Sequence, residues 1–453
     1  MSKPLSEAPM VSLDTQTLIT YQARELLAKQ AQECGPVLRW TVPVGQLAGR
    51  EAVFLIGPEA NRFVLHTHRE YLSHDNGWTP YIGNVMGKGL LNMDPPEHTQ
   101  HRKLWNPAFT NAYMENYLPL IQQVLARYTT PWLERGEIDL YDETRTITFN
   151  IATSTLANLA GGAQTDHVQE LFFTILGVAN PDPRGYEERL VKAMQARAEL
   201  NDILLNLISE RRNSPTKETQ SILGMIVHAR DEEGHSLSDE QILGHLNILL
   251  LAGHETTAVL SALVIYLLAT LPEQRQRVMD ELNALLGDST GPISVAATRQ
   301  MKVLDNFIKE AARLHTPIFT VPRQVMREVE FAGYTLPKGT IVHLALAASH
   351  FLPNVFDKPE VFDPDRFTAP REEDKRTPYG FAPFGAGSRL CIGINFATIE
   401  IKLFVAHVLR SYNLEALSDQ PPAQIGLIGT SIPMGIPMRV TASHPSTQIA
   451  SAV

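Results

Sequence analysis

Cysteine is almost missing from this chain, with Cys34 and Cys391 the only two among 453 residues. Two cysteines cannot build a disulfide framework, and their scarcity suits a reducing, cytoplasmic setting. They also cannot supply the ligands of an iron–sulfur cluster, and no GxGxxG dinucleotide fingerprint occurs, so any electrons the chain uses must come from other proteins. Residues 1–30 lack an apolar core flanked by positive charge, and no secretory leader is expected. Basic charge is in deficit: 39 Lys and Arg face 49 Asp and Glu, for a net charge of −10. That balance argues against nucleic acid as the main partner. Repeats, low-complexity tracts and linkers are absent as well.

Apolar residues make up 44% of the chain and charged residues 19%, which is the composition of a globular protein. Residues 35–75 mix β-prone runs, Val37 to Val42 and Ala52 to Ile56, with Gly and Pro turns. Helical periodicity dominates from about 95 to 315. It predicts helices over Tyr117 to Glu134, Ile147 to Leu159, Glu187 to Arg212 and Pro272 to Leu286. Beyond 316 the chain is rich in Pro and Gly, with one more helix following Gly393 to about Arg410. Loose tails are expected over about 1–15 and 442–453. Cys34 reads as a small packed side chain.

The run from Leu246 to Ala269 is apolar enough to raise the question of a membrane span. Polar residues interrupt it, however, so a buried core helix with no membrane span is expected. Ser238 and Gln241 form a capping-box pattern at its start, and Pro272 stops it. Near its middle stand Gly253, His254, Glu255, Thr256 and Thr257. A carboxylate and two hydroxyls inside an apolar helix cost stability unless they are satisfied or used, and Gly253 weakens the helix locally. His254-Glu255 is not a zinc-protease motif, because the residue four after His254 is Ala258.

The most informative segment is Phe384-Gly385-Ala386-Gly387-Ser388-Arg389-Leu390-Cys391-Ile392-Gly393. Its glycines allow a tight turn and close approach to a flat ligand. Backbone N–H groups, Arg389 and the N-terminus of the next helix all favour a thiolate on Cys391. Phe384 can shield the sulfur from water. Upstream, Glu310 and Arg313 share one helix face at i and i+3, and Arg366 lies in Phe362-Asp363-Pro364-Asp365-Arg366-Phe367. Asp94 to Arg102 reads as a helix start with Asp94 as N-cap and Glu97 completing a capping box, which puts His98 and Arg102 on one face.

The ten-residue cysteine segment resembles the haem-ligand loop of the cytochrome P-450 family. Ala252-Gly253-His254-Glu255-Thr256 resembles that family's oxygen-activation segment, and Glu310-Ala311-Ala312-Arg313 its Glu-x-x-Arg motif. These motifs stand in the family's order, and the resemblance runs from about Gly35 to Arg439. Length alone suggests about three domains of ~150 residues. The resemblance instead implies one domain, residues 1–453, mainly α with a small β-rich region. It implies haem b (iron protoporphyrin IX) with Cys391 as metal ligand. His98, Arg102, Arg323 and Arg389 would hold the haem carboxylates, with Phe384, Gly385 and Gly393 shaping the loop. Glu310, Arg313 and Arg366 would form a structural triad. Gly253, Glu255 and Thr256 would admit O2 and deliver protons, with the helix opened near Gly253.

The activity implied is monooxygenation: one oxygen atom of O2 enters an organic substrate by hydroxylation or epoxidation. Electrons would come from a ferredoxin or flavodoxin with its NAD(P)H-dependent reductase. Lys103, Arg389 and Lys402 are expected to form the basic docking patch. Five segments would surround the substrate: Trp78, Tyr81, Ile82, Val85 and Met86; Leu176 and Val178; Ile248, Leu249 and Ala252; Ile318, Phe319 and Val321; and Leu427, Ile428 and Ile432. Their apolar character implies an apolar substrate. The alternatives are a peroxide-driven haem enzyme of the same fold and a non-catalytic haem or lipid-binding protein.

Overall fold

The computed structural model describes residues 2–443 except 19, 21, 43–45, 160, 180–184, 215–220, 288, 290, 419 and 427–429. Helices dominate, and a five-stranded sheet forms the largest β element. Its spatial order is Val37–Thr41, Glu51–Leu55, Ile341–Leu344, Val321–Val325 and Leu72–Ser73. Glu51–Leu55 runs parallel to Ile341–Leu344, and the other neighbours are antiparallel. The β-prone runs near residues 40 and 54 therefore form strands as expected, but the sheet is completed from residues nearly 300 positions later, beyond the reach of local pattern.

The central helix spans Asp239–Thr270. Ser238 Oγ accepts from the Gln241 N–H, and the Gln241 side chain accepts from the Ser238 N–H, so the capping box closes as expected. Among the described residues this is the one helix long and apolar enough to cross a membrane, and 78% of its most apolar window is buried inside the molecule. It packs most extensively on the helix Leu140–Ala157, with Tyr186–Asn213 and Ile394–Ser411 along other faces. The helix runs without a break through Gly253, where a local opening is expected. The Thr256 hydroxyl donates to the Ala252 carbonyl at 2.7 Å, one turn back along the helix.

The first long helical segment is Asn111–Thr129 followed by a short turn at Trp132–Arg135, because Pro131 ends the first helix two residues after Thr129. Near the amino end, Lys3–Pro4 pairs in parallel with Tyr334–Thr335. The Ser2 hydroxyl reaches Glu330 and Thr335, so most of the expected loose tail is docked. Cys34 is exposed rather than packed, since it ends a helix whose buried face carries Ala23, Leu27 and Ala28. Residues 444–453 lie outside the described residues.

Burial holds several histidines neutral. Those at 245, 343 and 350 are lowered to about 3, and His407 to about 4. Glu400, buried in the helix after the cysteine loop, is raised well above the ordinary carboxyl range. A histidine depressed on folding binds its proton only in the unfolded chain once pH drops below about 6.5, so stability is lost as pH falls. Glu400 has the opposite sign, since unfolding lets it ionise above about 4.5. Depressed histidines outnumber this raised carboxyl, which predicts that the unfolding midpoint falls steadily from pH 6.5 to pH 5, at about 1.4 kcal/mol per pH unit for each uncompensated group. Thermal melts across that range check the prediction, and a midpoint flat or rising on acidification would contradict it.

Candidate active site

One large cavity, about 1370 Å³, lies between the central helix and the Cys391 loop. That exceeds the roughly 300–1,000 Å³ of single-ligand sites, so there is room for a flat cofactor and a substrate together. Its walls bring together Gly253, Glu255, Thr256, His98, Arg102, Arg323, Arg389, Phe384, Gly385, Gly393 and Cys391, residues spread over nearly 300 positions of sequence.

The cysteine loop is held by its own backbone. The Cys391 N–H donates to the Phe384 carbonyl at 2.9 Å. Gly387 has φ 63°, and a Cβ there would stand 2.9 Å from the Leu65 carbonyl oxygen, so glycine is required both for conformation and for approach. Helix Ile394–Ser411 starts just beyond. Burial pushes the Cys391 thiol up, while the Gly393 N–H and the Arg102 charge pull it down.

Beside this loop, Arg102, Arg323 and Arg389 converge with His98 and with His74, which sequence reasoning missed. The nearest acid, Asp94, is spent on the Ser73 hydroxyl at 2.5 Å and the His74 N–H at 2.7 Å. This corrects the expected cap: the helix is Glu97–Trp105, no side chain caps it, and Glu97 pairs with Lys88 instead. Arg323 is 3% exposed, and its Nε has no hydrogen-bond partner. Burial, with Arg389 alongside, lowers Arg323 to about 9, and burial lowers Arg389 to about 10. His98 falls to about 4 by burial and the charges of Arg389 and Arg102, and burial with Arg323 likewise depresses His74. Such a knot of desolvated donors around a cysteine suits a flat cofactor carrying two carboxylates, with sulfur as its metal ligand. The residues therefore fit haem.

Across the cavity, Glu255 accepts a very short hydrogen bond from the Tyr141 hydroxyl and a 3.3 Å contact from Arg145 Nε. The His254 ring lies 3.7 Å from the same carboxylate, enclosed by Phe149, Phe172 and Phe173. Tyr141 and Arg145 come from the neighbouring helix Leu140–Ala157. Nothing local in the sequence marks them, since their partner is more than 100 residues away.

The expected substrate-facing residues Trp78, Tyr81, Ile82, Val85, Met86, Leu176, Val178, Ile248, Leu249, Ala252, Ile318, Val321 and Ile432 all line the cavity. Tyr81 also shares a 2.9 Å hydrogen bond with His343. Phe319 is a correction: it is 1% exposed and packs in the sheet core with Trp40 and Phe54, facing away from the cavity that Ile318 lines. Leu427 and Ile428 lie outside the described residues. The basic docking patch also needs correcting. Lys402 is buried on Asp305 at 2.7 Å, Arg389 turns inward to the Leu90 and Met93 carbonyls, and exposed Lys103 pairs with Glu232.

The helical fold, the cysteine loop and this cavity define a haem-thiolate oxygenase scaffold. The chain belongs to the cytochrome P-450 family, whose model matches residues 13–434. It is 32% identical over 390 residues to a cytochrome P-450 of Mycobacterium tuberculosis, covering 84% of this chain and 76% of that one. It is 31% identical over 406 residues to the sterol 14alpha-demethylase of Mycolicibacterium vanbaalenii, covering 88% of this chain and 87% of that one. The solved structure of retinoic acid-bound cyanobacterial CYP120A1 superposes with a TM-score of 0.81 at 26% identity, covering 91% of this chain and 93% of that one. The protein is accordingly a haem-dependent cytochrome P-450 monooxygenase.

Away from the cavity, the Glu310 carboxylate accepts from Arg313 at 2.8 Å on both oxygens, from Arg366 Nε at 3.0 Å and from the Asp363 N–H at 2.8 Å. Glu373 adds a second carboxylate on Arg366 at 2.8 Å. Removing one partner of such a buried pair strands the other charge, so Glu310→Ala should cost about 3–5 kcal/mol. Chemical denaturation of the purified variant measures it, and a loss within experimental error of zero would rule out this role for the network.

Proposed function

We propose that this monooxygenase inserts one atom of O2 into an apolar organic substrate of moderate to large size, by hydroxylation or epoxidation. The observation that carries this reading is the cavity itself: an apolar wall faces Glu255 and Thr256 on one side and the Cys391 loop on the other. Sterol and retinoic acid, in the names of two of the relatives, are large apolar molecules and support the same substrate class.

In this reading Cys391 binds the haem iron through sulfur, and His98, Arg102, Arg323 and Arg389, with His74 added, hold the haem carboxylates. Thiolate-ligated haem supplies the cleavage of the O–O bond. Glu255 and Thr256 pass protons inward from solvent by way of water. Tyr141 and Arg145 position the Glu255 carboxylate. Glu310, Arg313 and Arg366 hold the fold behind the cysteine loop. Electrons come from a ferredoxin or flavodoxin with its NAD(P)H-dependent reductase, in the cytoplasm. A peroxide-driven reaction is disfavoured because the Glu255–Thr256 acid–alcohol pair faces the cavity.

Two measurements test this. A spectral-shift screen of the ferric protein against sterols, terpenoids and fatty acyl compounds should find apolar ligands that bind by burial. A tightest ligand that is small and highly charged would overturn the substrate class. In Thr256→Ala, reductant consumption should continue while product per electron falls and peroxide release rises. Unchanged coupling would make the hydroxyl purely structural.

A further inference from the structure

The substrate cavity is not uniformly apolar. Arg145 enters its wall from the helix Leu140–Ala157, with the guanidinium 4.0 Å from the centre of the Phe173 ring. Its side chain is 24% exposed, so the head is neither sealed in the core nor free in solvent. One edge is committed, because Nε donates to Glu255 at 3.3 Å. The two terminal nitrogens meet no protein acceptor among the described residues. The other arginines of the cavity, Arg102, Arg323 and Arg389, belong to the cluster beside the cysteine loop. Arg145 is therefore the one arginine outside that cluster among the described lining residues.

A guanidinium is a planar fork, and its two terminal nitrogens match the two oxygens of a carboxylate. Contact with the Phe173 ring restrains the guanidinium, which limits the entropy lost on binding. Glu255 occupies the Nε edge, so a second carboxylate meets the guanidinium at its other end. The Glu255–Arg145 pair is close to neutral as a unit, so the ligand gains charge-assisted hydrogen bonds more than net attraction. The expected preference for an anion is correspondingly moderate.

We propose that Arg145 is a specificity-determining residue that binds the carboxylate of an amphipathic substrate, an apolar carboxylic acid whose body lies along Phe173 and Leu176. This rests on the reading of the cavity as a substrate site and narrows its substrate class. No bond forms or breaks at Arg145, which selects and orients.

The test compares acids with their own alcohols. Haem-loaded protein is titrated calorimetrically with palmitic acid and hexadecanol, and with abietic acid and abietinol. At least one acid should bind roughly tenfold more tightly than its alcohol, the size of one charge-assisted hydrogen bond. The ratio should fall to about one in Arg145→Gln and be partly kept in Arg145→Lys, which retains the charge without the fork. The Lys variant also neutralises Glu255, so it carries the test if the Gln variant does not fold. A merely structural role for Arg145 would weaken acid and alcohol alike and leave the ratio unmoved. Alcohols that bind as tightly as acids in the parent protein, or an acid preference that survives in both variants, would overturn the proposal and leave the apolar cavity reading standing. Failure of all four compounds to bind would overturn both.

Discussion

Four hydrogen bonds converge on one fully buried carboxylate, that of Glu310. Arg313 comes from the same helix, while Arg366 and the Asp363 N–H come from a long stretch of chain with little regular structure. That stretch also gives up its own carbonyls: Arg313 takes those of His350, Pro359 and Val361, and Arg366 takes those of Asp357 and Val361. An irregular segment has no ladder to satisfy its backbone, and buried carbonyls without donors are costly. The two arginines serve as that ladder. Their charge is tolerable only because Glu310 and Glu373 neutralise it, so the path of residues 350–373, and with it the approach to the cysteine loop, depends on this cluster.

The cavity is organised by the reverse arrangement. Beside Cys391, cations gather without matching acids, and burial holds Arg323 and Arg389 below their ordinary range. A cluster of this kind opposes folding of the bare protein. In the proposed assignment the haem carboxylates complete it, so haem binding and folding are coupled, and the cofactor stabilises the native state by mass action. Across the cavity the balance is kept within the protein, where Glu255 is met by Tyr141 and Arg145. Two kinds of electrostatic environment thus face each other over the cavity: cations without matching acids beside Cys391, and an acid met by its own donors at Glu255.

What was legible in the sequence was mostly local. The Ser238–Gln241 cap, the tight glycine turn before Cys391 and the Glu310–Arg313 pairing are relations within ten residues, and each stands in the structure. Family resemblance extended this to the wall residues, since fold topology assigns segments to a cavity without knowing rotamers. It failed where neighbours in sequence part company in space. Phe319 follows a cavity residue yet belongs to the sheet core. Lys402 looked like a surface charge, but it lies on a buried stretch of helix where Asp305 meets it. Asp94 had a plausible local use as a cap, and a longer-range use with Ser73 and His74 prevailed because it satisfies two donors at once.

The residues that sequence reasoning missed share one physical property: their partners are distant in the chain. Tyr141 and Arg145 are ordinary members of a helix until the central helix brings Glu255 against them. A buried carboxylate must find donors, so Glu255 alone implied that such residues existed without saying where. The helix pair that supplies them is also the most extensively packed in the molecule. A carboxylate held by two donors on a closely packed neighbour is fixed in place, whereas one on a lone apolar helix would have to reach water to stay charged. The packing of Leu140–Ala157 against Asp239–Thr270 is therefore what holds this acid in place at the cavity wall.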